Sequence, residues 1–572
     1  REGKIVQNMR ALLHRALFSI LISSSLYVSY VGVEAESSFD VFRLAQFEKN
    51  KVNYGSKKAQ MNLQASVPNM ATKTKGDLRR RVVIFRLLDL TSEVLAEAIT
   101  RRSAGGILIL IPDDYAQITA AQIDNCRQIE HDLLQHELAI PIYFAVENSD
   151  LEGIYDTLNP ETRPPKESYQ FVVDSDEPQE VSPVIVSNVV GWLEGDHRGS
   201  AERRNKNQPH ASTAGTRDGV GSLPTIAVVA FYDNLGVAPG LARGFHSNGS
   251  GVVGLLALAR MFSQLYSYST TKGSYNLIFV LTGAGRLNFA GTKDWLTNAS
   301  PRIVESLDLV LCLDSIAASD TLYLHTSKPP KDELVKELHD VFFHTAHTMD
   351  IPFHLVHKKV NISNPELAWE HEQFSLKRLF AATISNKPSP HDVTSSMFLD
   401  MLGHENRTAS IGRLTRNIHF IGESLARYIF NLEANRRTID GNESKGETDV
   451  VIFNGSTQVP VHLVEAWADT VDRTPRNTGF LSQDSDFLMA LEDTLGQFLA
   501  HQTTRQTFNL PNSIAFYGPS TASMTAYQTK SFVFELVLTL GILTYLGTLM
   551  FVMKGPREFH RSLLLVWDQV KS

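Results

Sequence analysis

The run Thr225-Ile-Ala-Val-Val-Ala-Phe-Tyr-Asp233, followed after a short loop by Gly244-Phe-His-Ser-Asn-Gly-Ser-Gly-Val-Val-Gly-Leu-Leu-Ala-Leu-Ala-Arg-Met-Phe-Ser-Gln-Leu265, decides the architecture of this chain. Residues 225–230 are apolar after the first and show no alternation, which is the pattern of a strand buried on both faces. Residues 251–266 form an apolar stretch too long for a strand and read as a helix. The glycine cluster between them supplies the tight turn from strand to helix. Moving outward, strand-like runs recur at 276–281, 307–313 and 321–324, and helical patterns at 331–348 and 413–432. The fold class is α/β, a mostly parallel sheet flanked by helices.

Upstream lies a smaller α/β unit, with strands at 82–87, 105–111 and 140–146 and helices at 92–102 and 120–135. The polar, glycine-rich stretch 195–221 has no apolar period and reads as a flexible linker. The expected organisation is a signal peptide at 9–35, the small lumenal domain at 36–194, the linker, the larger domain at 222–435 and a helical membrane-proximal region at 436–530. A transmembrane helix at 531–553 and a cytosolic tail at 554–572 complete it.

The two membrane segments rest on different signals. Met9, Arg10, His14 and Arg15 precede an apolar stretch ending at Val31, and Val33-Glu34-Ala35 offers small residues for cleavage after Ala35. Residues 532–553 carry one charge, Glu535, and at 1.5 Å per residue extend about 33 Å, enough to cross a bilayer. Lys554, Arg557 and Arg561 follow, so the positive-inside rule puts the tail in the cytosol and predicts a single-pass type I protein. The tail places Phe559, Leu563, Leu564 and Trp567 near helical spacing, a pattern for a short helix on the membrane surface.

A chain of 572 residues, 43% of them hydrophobic, needs more than one core. Its net charge of −8 carries no basic run interleaved with aromatics, which argues against direct nucleic-acid binding. Two cysteines, Cys126 and Cys312, do not make a disulfide framework. Sequons occur at Asn248, Asn298, Asn361, Asn406, Asn442 and Asn454; Pro301 follows the one at Asn298, which leaves the other five as candidate glycosylation sites.

Strand ends are where α/β folds build sites. Three carry polar groups: Phe231-Tyr232-Asp233 after the first strand, Ser247 in the glycine-rich turn, and Asp314 after the run 309–313. In this outline, over roughly 223–432, the chain resembles the di-zinc aminopeptidase family, which includes the transferrin receptor and nicastrin. The resemblance implies a His at the first strand end, a metal-bridging Asp in the turn, a Glu-Glu pair supplying base and ligand, and a later Asp and His.

Set against that pattern, Phe231 stands at the first His and Ser247 at the bridging Asp. The segment Thr282-Gly283-Ala284-Gly285-Arg286 replaces the Glu-Glu region, with Gly285 and Arg286 where base and ligand belong. Ser395-Ser396 falls near the last His, with His391 close by. Asp233 and Asp314 remain, and two carboxylates do not make the three-ligand zinc site that activates water. The expectation is therefore a degenerate site with no cofactor and no catalysis.

Two further patterns read as structural. Glu370-His371-Glu372 lacks the three- or four-residue spacing that puts ligands on one helical face, and His246 reads as a surface-loop histidine. Gly291-Thr-Lys-Asp-Trp295, Ser327-Lys-Pro-Pro330, Ala368-Trp-Glu-His-Glu372 and Leu414-Thr-Arg-Asn417 resemble the nicastrin-like branch of the family found in the endoplasmic reticulum. That resemblance implies a non-catalytic scaffold in a complex with a polytopic membrane protein and Nodal modulator. It also implies association with the protein-conducting channel and ribosome, and help in inserting multi-pass membrane proteins. The alternatives are a nicastrin-like subunit that receives substrate for an intramembrane protease, and an active metallo-aminopeptidase.

Overall fold

The buried strand is Thr225–Phe231, with every residue buried, in the middle of an eight-stranded sheet. The computed structural model describes residues 37–68, 78–112, 118–159, 168–196, 223–390, 397–398, 407–432, 451–511, 513–529 and 532–555. The spatial order of that sheet is Phe353–His357, Leu322–Thr326, Ala381–Ser385, Leu307–Leu313, Thr225–Phe231, Asn276–Thr282, Ile185–Leu193 and Thr503–Asn509. Four of its seven pairings are parallel. The antiparallel pairings lie toward the two edges.

Alternate residues of the central strand enter two cores. Ile226, Val228 and Ala230 join a large cluster with Leu255, Leu256 and Phe262 of the helix Ser250–Leu265. Ala227 and Val229 face Trp295 and Phe374, which belong to the helices Ala290–Asn298 and His371–Leu376. Both faces are thus dry, the physical reason for a strand without polar alternation. The helices Arg407–Phe430, Val461–Arg473 and Asp486–Phe498 pack around Ser250–Leu265.

A closed seven-stranded barrel forms the second unit: Ser37–Arg43, Thr521–Thr529, Ser168–Val173, Met61–Ser66, Arg81–Arg86, Gly106–Ile111 and Ile142–Val146. Its strand Gly106–Ile111 is wholly buried. A five-stranded sheet, Gln179–Val181, Ile514–Gly518, Gln46–Lys49, Val52–Ser56 and Glu137–Leu138, adjoins it in sequence.

Two readings change here. The region 436–530, read as helical, holds two long helices and then three strands that supply one strand to each of the three sheets. Two of those strands, Thr503–Asn509 and Thr521–Thr529, are rich in Thr and Gln, and the third, Ile514–Gly518, is short, so none shows a long apolar run. The strand Ile185–Leu193, assigned to the small domain, lies in the large sheet.

The backbone helix Phe532–Lys554 spans 23 residues. Among the described residues, no helix is long and apolar enough to cross a membrane; the side chains described on this helix are those of 536–551 and Met553. Many of them are apolar and exposed, Val537 and Leu543 among them. The signal peptide, most of the linker, the tail from 556, His391, Ser395, Ser396, Asn406 and Asn442 lie outside the described residues.

Candidate functional site

The carboxylate of Asp233, just beyond the central strand, is 1% exposed and engaged on both oxygens. Oδ2 accepts the Ala284 N–H at 2.7 Å and the Thr478 hydroxyl, and Oδ1 accepts the Gly285 N–H at 2.9 Å. Burial pushes this carboxyl up, against the pull of those hydrogen bonds. The donors come from a turn that Ala284 enters at φ 54°. Gly285 must be glycine there, because a Cβ would lie 2.2 Å from the Phe231 ring.

Thr478 belongs to a segment that closes over the strand end. Arg476, fully buried, donates to the carbonyls of Tyr232, Arg243 and Gly244. The Asn234 N–H donates to the Arg476 carbonyl at 2.7 Å, and the Thr478 N–H to Asn234 at 3.2 Å. Ser247 donates to the Gly244 carbonyl at 3.3 Å or the Asn248 Oδ1 at 3.1 Å.

Asn248 is wholly buried, and its Nδ2 donates to the carbonyls of Phe231 and Asp233 at 2.7 and 2.8 Å. A glycan cannot occupy that nitrogen in this fold, so the sequon at Asn248 is removed as an acceptor. Asn361 and Asn454 are exposed. His246, expected at the surface, is half-buried, and its carbonyl accepts the Ser315 hydroxyl.

The second surviving carboxylate has a different partner. Asp314 Oδ2 accepts Lys387 Nζ and Ser385 Oγ, each at 3.0 Å, and Lys387 is 3% exposed. Burial alone would raise the Asp314 carboxyl, but the Lys387 ammonium and the Arg286 guanidinium hold it below its usual range. The Arg286 guanidinium also sits 5.7 Å from the Phe231 ring centroid, and that ring meets Phe289 edge-on.

Glu370 and His371 at the start of the helix His371–Leu376 point to different partners. Glu370 Oε1 accepts the hydroxyls of Thr282 at 3.0 Å and Thr292 at 2.6 Å. Burial pushes its carboxyl up to about 7. His371 Nδ1 is 2.8 Å from the Thr383 hydroxyl, and Glu372 Oε2 accepts the Ala368 N–H. Between Phe231, Arg286, Asp314, Trp369, Glu370 and Lys387 lies a cavity of about 40 Å³, room for a few waters.

Residues 213–362 match Peptidase family M28. The zebrafish (Danio rerio) protein named BOS complex subunit ncln is 33% identical over 96% of this chain and 95% of its own length. The Caenorhabditis elegans protein named Nicalin is 26% identical over 91% of each chain. The chain belongs to the nicalin family. The crystal structure of the gamma-secretase component nicastrin aligns at a TM-score of 0.57, covering 86% of this chain and 99% of that one at 8% identity, a likeness of fold.

For this nicalin-family chain the zinc of M28 peptidases is the group to test. Asp233 accepts three protein donors, Asp314 holds an ammonium, and Ser247 offers a neutral hydroxyl turned to the backbone. Among the described residues, no group of three or more His, Cys, Asp and Glu side chains could hold a metal ion. The residues present do not fit a di-zinc centre.

Reading strand ends finds Asp233 and Asp314 but misses Lys387, Glu370, Arg476 and Thr478. The only sequence signal for Glu370 is the Ala368-Trp-Glu-His-Glu372 string. Lys387, 73 residues beyond Asp314, carries none.

Proposed function

We propose that this nicalin-family chain is a non-catalytic scaffold subunit of an endoplasmic-reticulum membrane complex that joins the protein-conducting channel and assists insertion of multi-pass membrane proteins. The observation that carries the reading is the Asp233 carboxylate, spent on two backbone N–H groups and Thr478. A buried carboxylate with both oxygens already accepting, and with no cluster of further ligands beside it among the described residues, is poorly placed to hold a catalytic zinc, which needs about three protein ligands. The name of its zebrafish relative, a BOS complex subunit, supports membership of a heteromeric complex. The partners we propose are a polytopic membrane protein and Nodal modulator, with the channel and ribosome beyond them.

Residues 532–553, with one charge among 22, support a single crossing in the type I orientation. In that reading the sheets and barrel stand in the lumen; the backbone helix Phe532–Lys554, 23 residues, extends about 35 Å. The nicastrin-like fold favours a second reading, a subunit that presents substrate to an intramembrane protease.

A pull-down of the full chain in mild detergent, with metal content measured on the same eluate, separates these readings. The scaffold reading expects channel and ribosome components without stoichiometric zinc. Presenilin-type partners would transfer the chain to the second reading. Stoichiometric zinc with aminoacyl hydrolysis lost on chelation would overturn both.

A further inference from the structure

We propose that the cavity beside Phe231 and Trp369 is a binding site for a carboxylate group, held between Arg286 Nη2 and Glu370 Oε2. Both atoms are buried and have no hydrogen-bond partner, and both side chains line the cavity. Glu370 is 3% exposed. A buried unmet donor or acceptor costs about 1–3 kcal/mol, so two such atoms at one cavity mark a place shaped for a guest. The site is independent of which complex the chain joins.

Charge selects the class of guest. Among the lining residues Lys387 contacts Asp314 at 3.0 Å and Arg286 acts on the same carboxylate, which leaves one positive charge on the lining while Glu370 keeps its proton. A cation would meet two like charges, and a dianion would meet Asp314; a monoanion brings the sum to zero. The aromatic walls Phe231, Phe289 and Trp369 suit a planar group, and a guanidinium edge matches a carboxylate better than a spherical ion. Arg286, Phe289, Ala368 and Pro390 are partly exposed and form the mouth. The carboxylate is therefore either free or borne on a partner polypeptide.

Glu370 couples the site to pH. The titratable and charged groups around it are Asp233, Asp314, Cys312, His325, His371, Arg286 and Lys387. Burial pushes the Glu370 carboxyl up to about 7; protonated, its Oε2 donates to the guest, whereas ionised it repels it. Binding confined to the protonated form weakens about tenfold from pH 6 to pH 8, because the competent fraction falls by that factor.

The test is the thermal midpoint of the full-length chain in detergent against sodium acetate at fixed ionic strength. A saturable rise is expected at pH 6, with apparent affinity about tenfold lower at pH 8. Arg286→Leu should abolish the rise and Arg286→Lys weaken it. Glu370→Gln, whose amide donates at either pH, should keep the rise and remove its pH dependence. Acetyl-dialanine, compared with its amide, distinguishes the sources. If the acid alone competes, a polypeptide carboxylate enters; if neither competes with acetate, the guest is a free small carboxylate. No saturable response at pH 6, an equal response to chloride, or a response that survives Arg286→Leu would overturn the proposal.

Discussion

Asp314 and Lys387 show how one side chain can hold a buried carboxylate. A buried carboxylate needs a countercharge, and here an ammonium at 3.0 Å supplies it. Removing one partner alone strands the other, so Lys387→Met should cost about 3–5 kcal/mol in denaturant unfolding, whereas Lys387→Met with Asp314→Leu should recover most of that loss. Equal losses in single and double variants would show that the pair contributes only packing. Titration gives a second expectation. Burial pushes Glu370 from 4.5 to about 7, so the folded chain holds a proton there that the unfolded chain lacks, and stability falls as pH rises through that window. Burial lowers His325 and His371 from 6.5 to about 4 and about 3, so the unfolded chain holds two protons there that the folded one lacks, and stability rises with pH up to 6.5. Between about 4.5 and 6.5 two outweigh one, a net gain of roughly 1.4 kcal/mol per pH unit. Above 6.5 the two histidine arms are spent while the Glu370 arm continues, so the contribution of these three groups should peak near pH 6.5. Glu370→Gln should erase the decline toward pH 8, and an unchanged profile in that variant would reject the assignment. At this scale sequence reading found the two strand-end aspartates because topology predicts where strand ends face. It missed Lys387 and read Glu370 as structural because their meaning comes from tertiary neighbours far away in the chain.

The segment Arg476 to Thr478 joins the C-terminal helices to the old site. It binds three backbone carbonyls through one guanidinium and Asp233 through one hydroxyl. Thr478→Val keeps the shape and removes the hydroxyl, leaving Asp233 one donor short. The expected loss is about 1–3 kcal/mol in denaturant midpoint, with the Asp233 carboxyl rising further; no change would mean that the two backbone donors suffice. What was legible among the elements follows the same physics. Residues 226–231, 309–313 and 106–111 are buried on both faces and therefore run without a polar side chain. Thr503–Asn509 contains no buried residue, so nothing in its composition distinguishes a paired edge from a loop, and only its register against Ile185–Leu193 makes it a strand.

The same late strands tie the whole molecule together. Thr521–Thr529 fills the gap between Ser37–Arg43 and Ser168–Val173, and without it the barrel would be an open sheet. Met524 and Ala526 pack from it into the cluster of Phe39, Val41 and Phe171. The helix Phe532–Lys554 begins after two intervening residues, so the strand that closes the barrel and the apolar segment are near neighbours along the chain. A chain ending after Thr529 should therefore keep a cooperative unfolding transition within a few degrees of the full-length protein. A chain ending after Pro519 loses two ladders of backbone hydrogen bonds and bares those apolar side chains at two new sheet edges, which invites pairing with other chains. It should aggregate, or show early proteolysis of residues 37–66 and 168–173, while the eight-stranded sheet, whose own late strand ends at Asn509, stays protected. If both truncations resist protease equally across the barrel, the closing strand is dispensable and the barrel holds together through its other pairings alone.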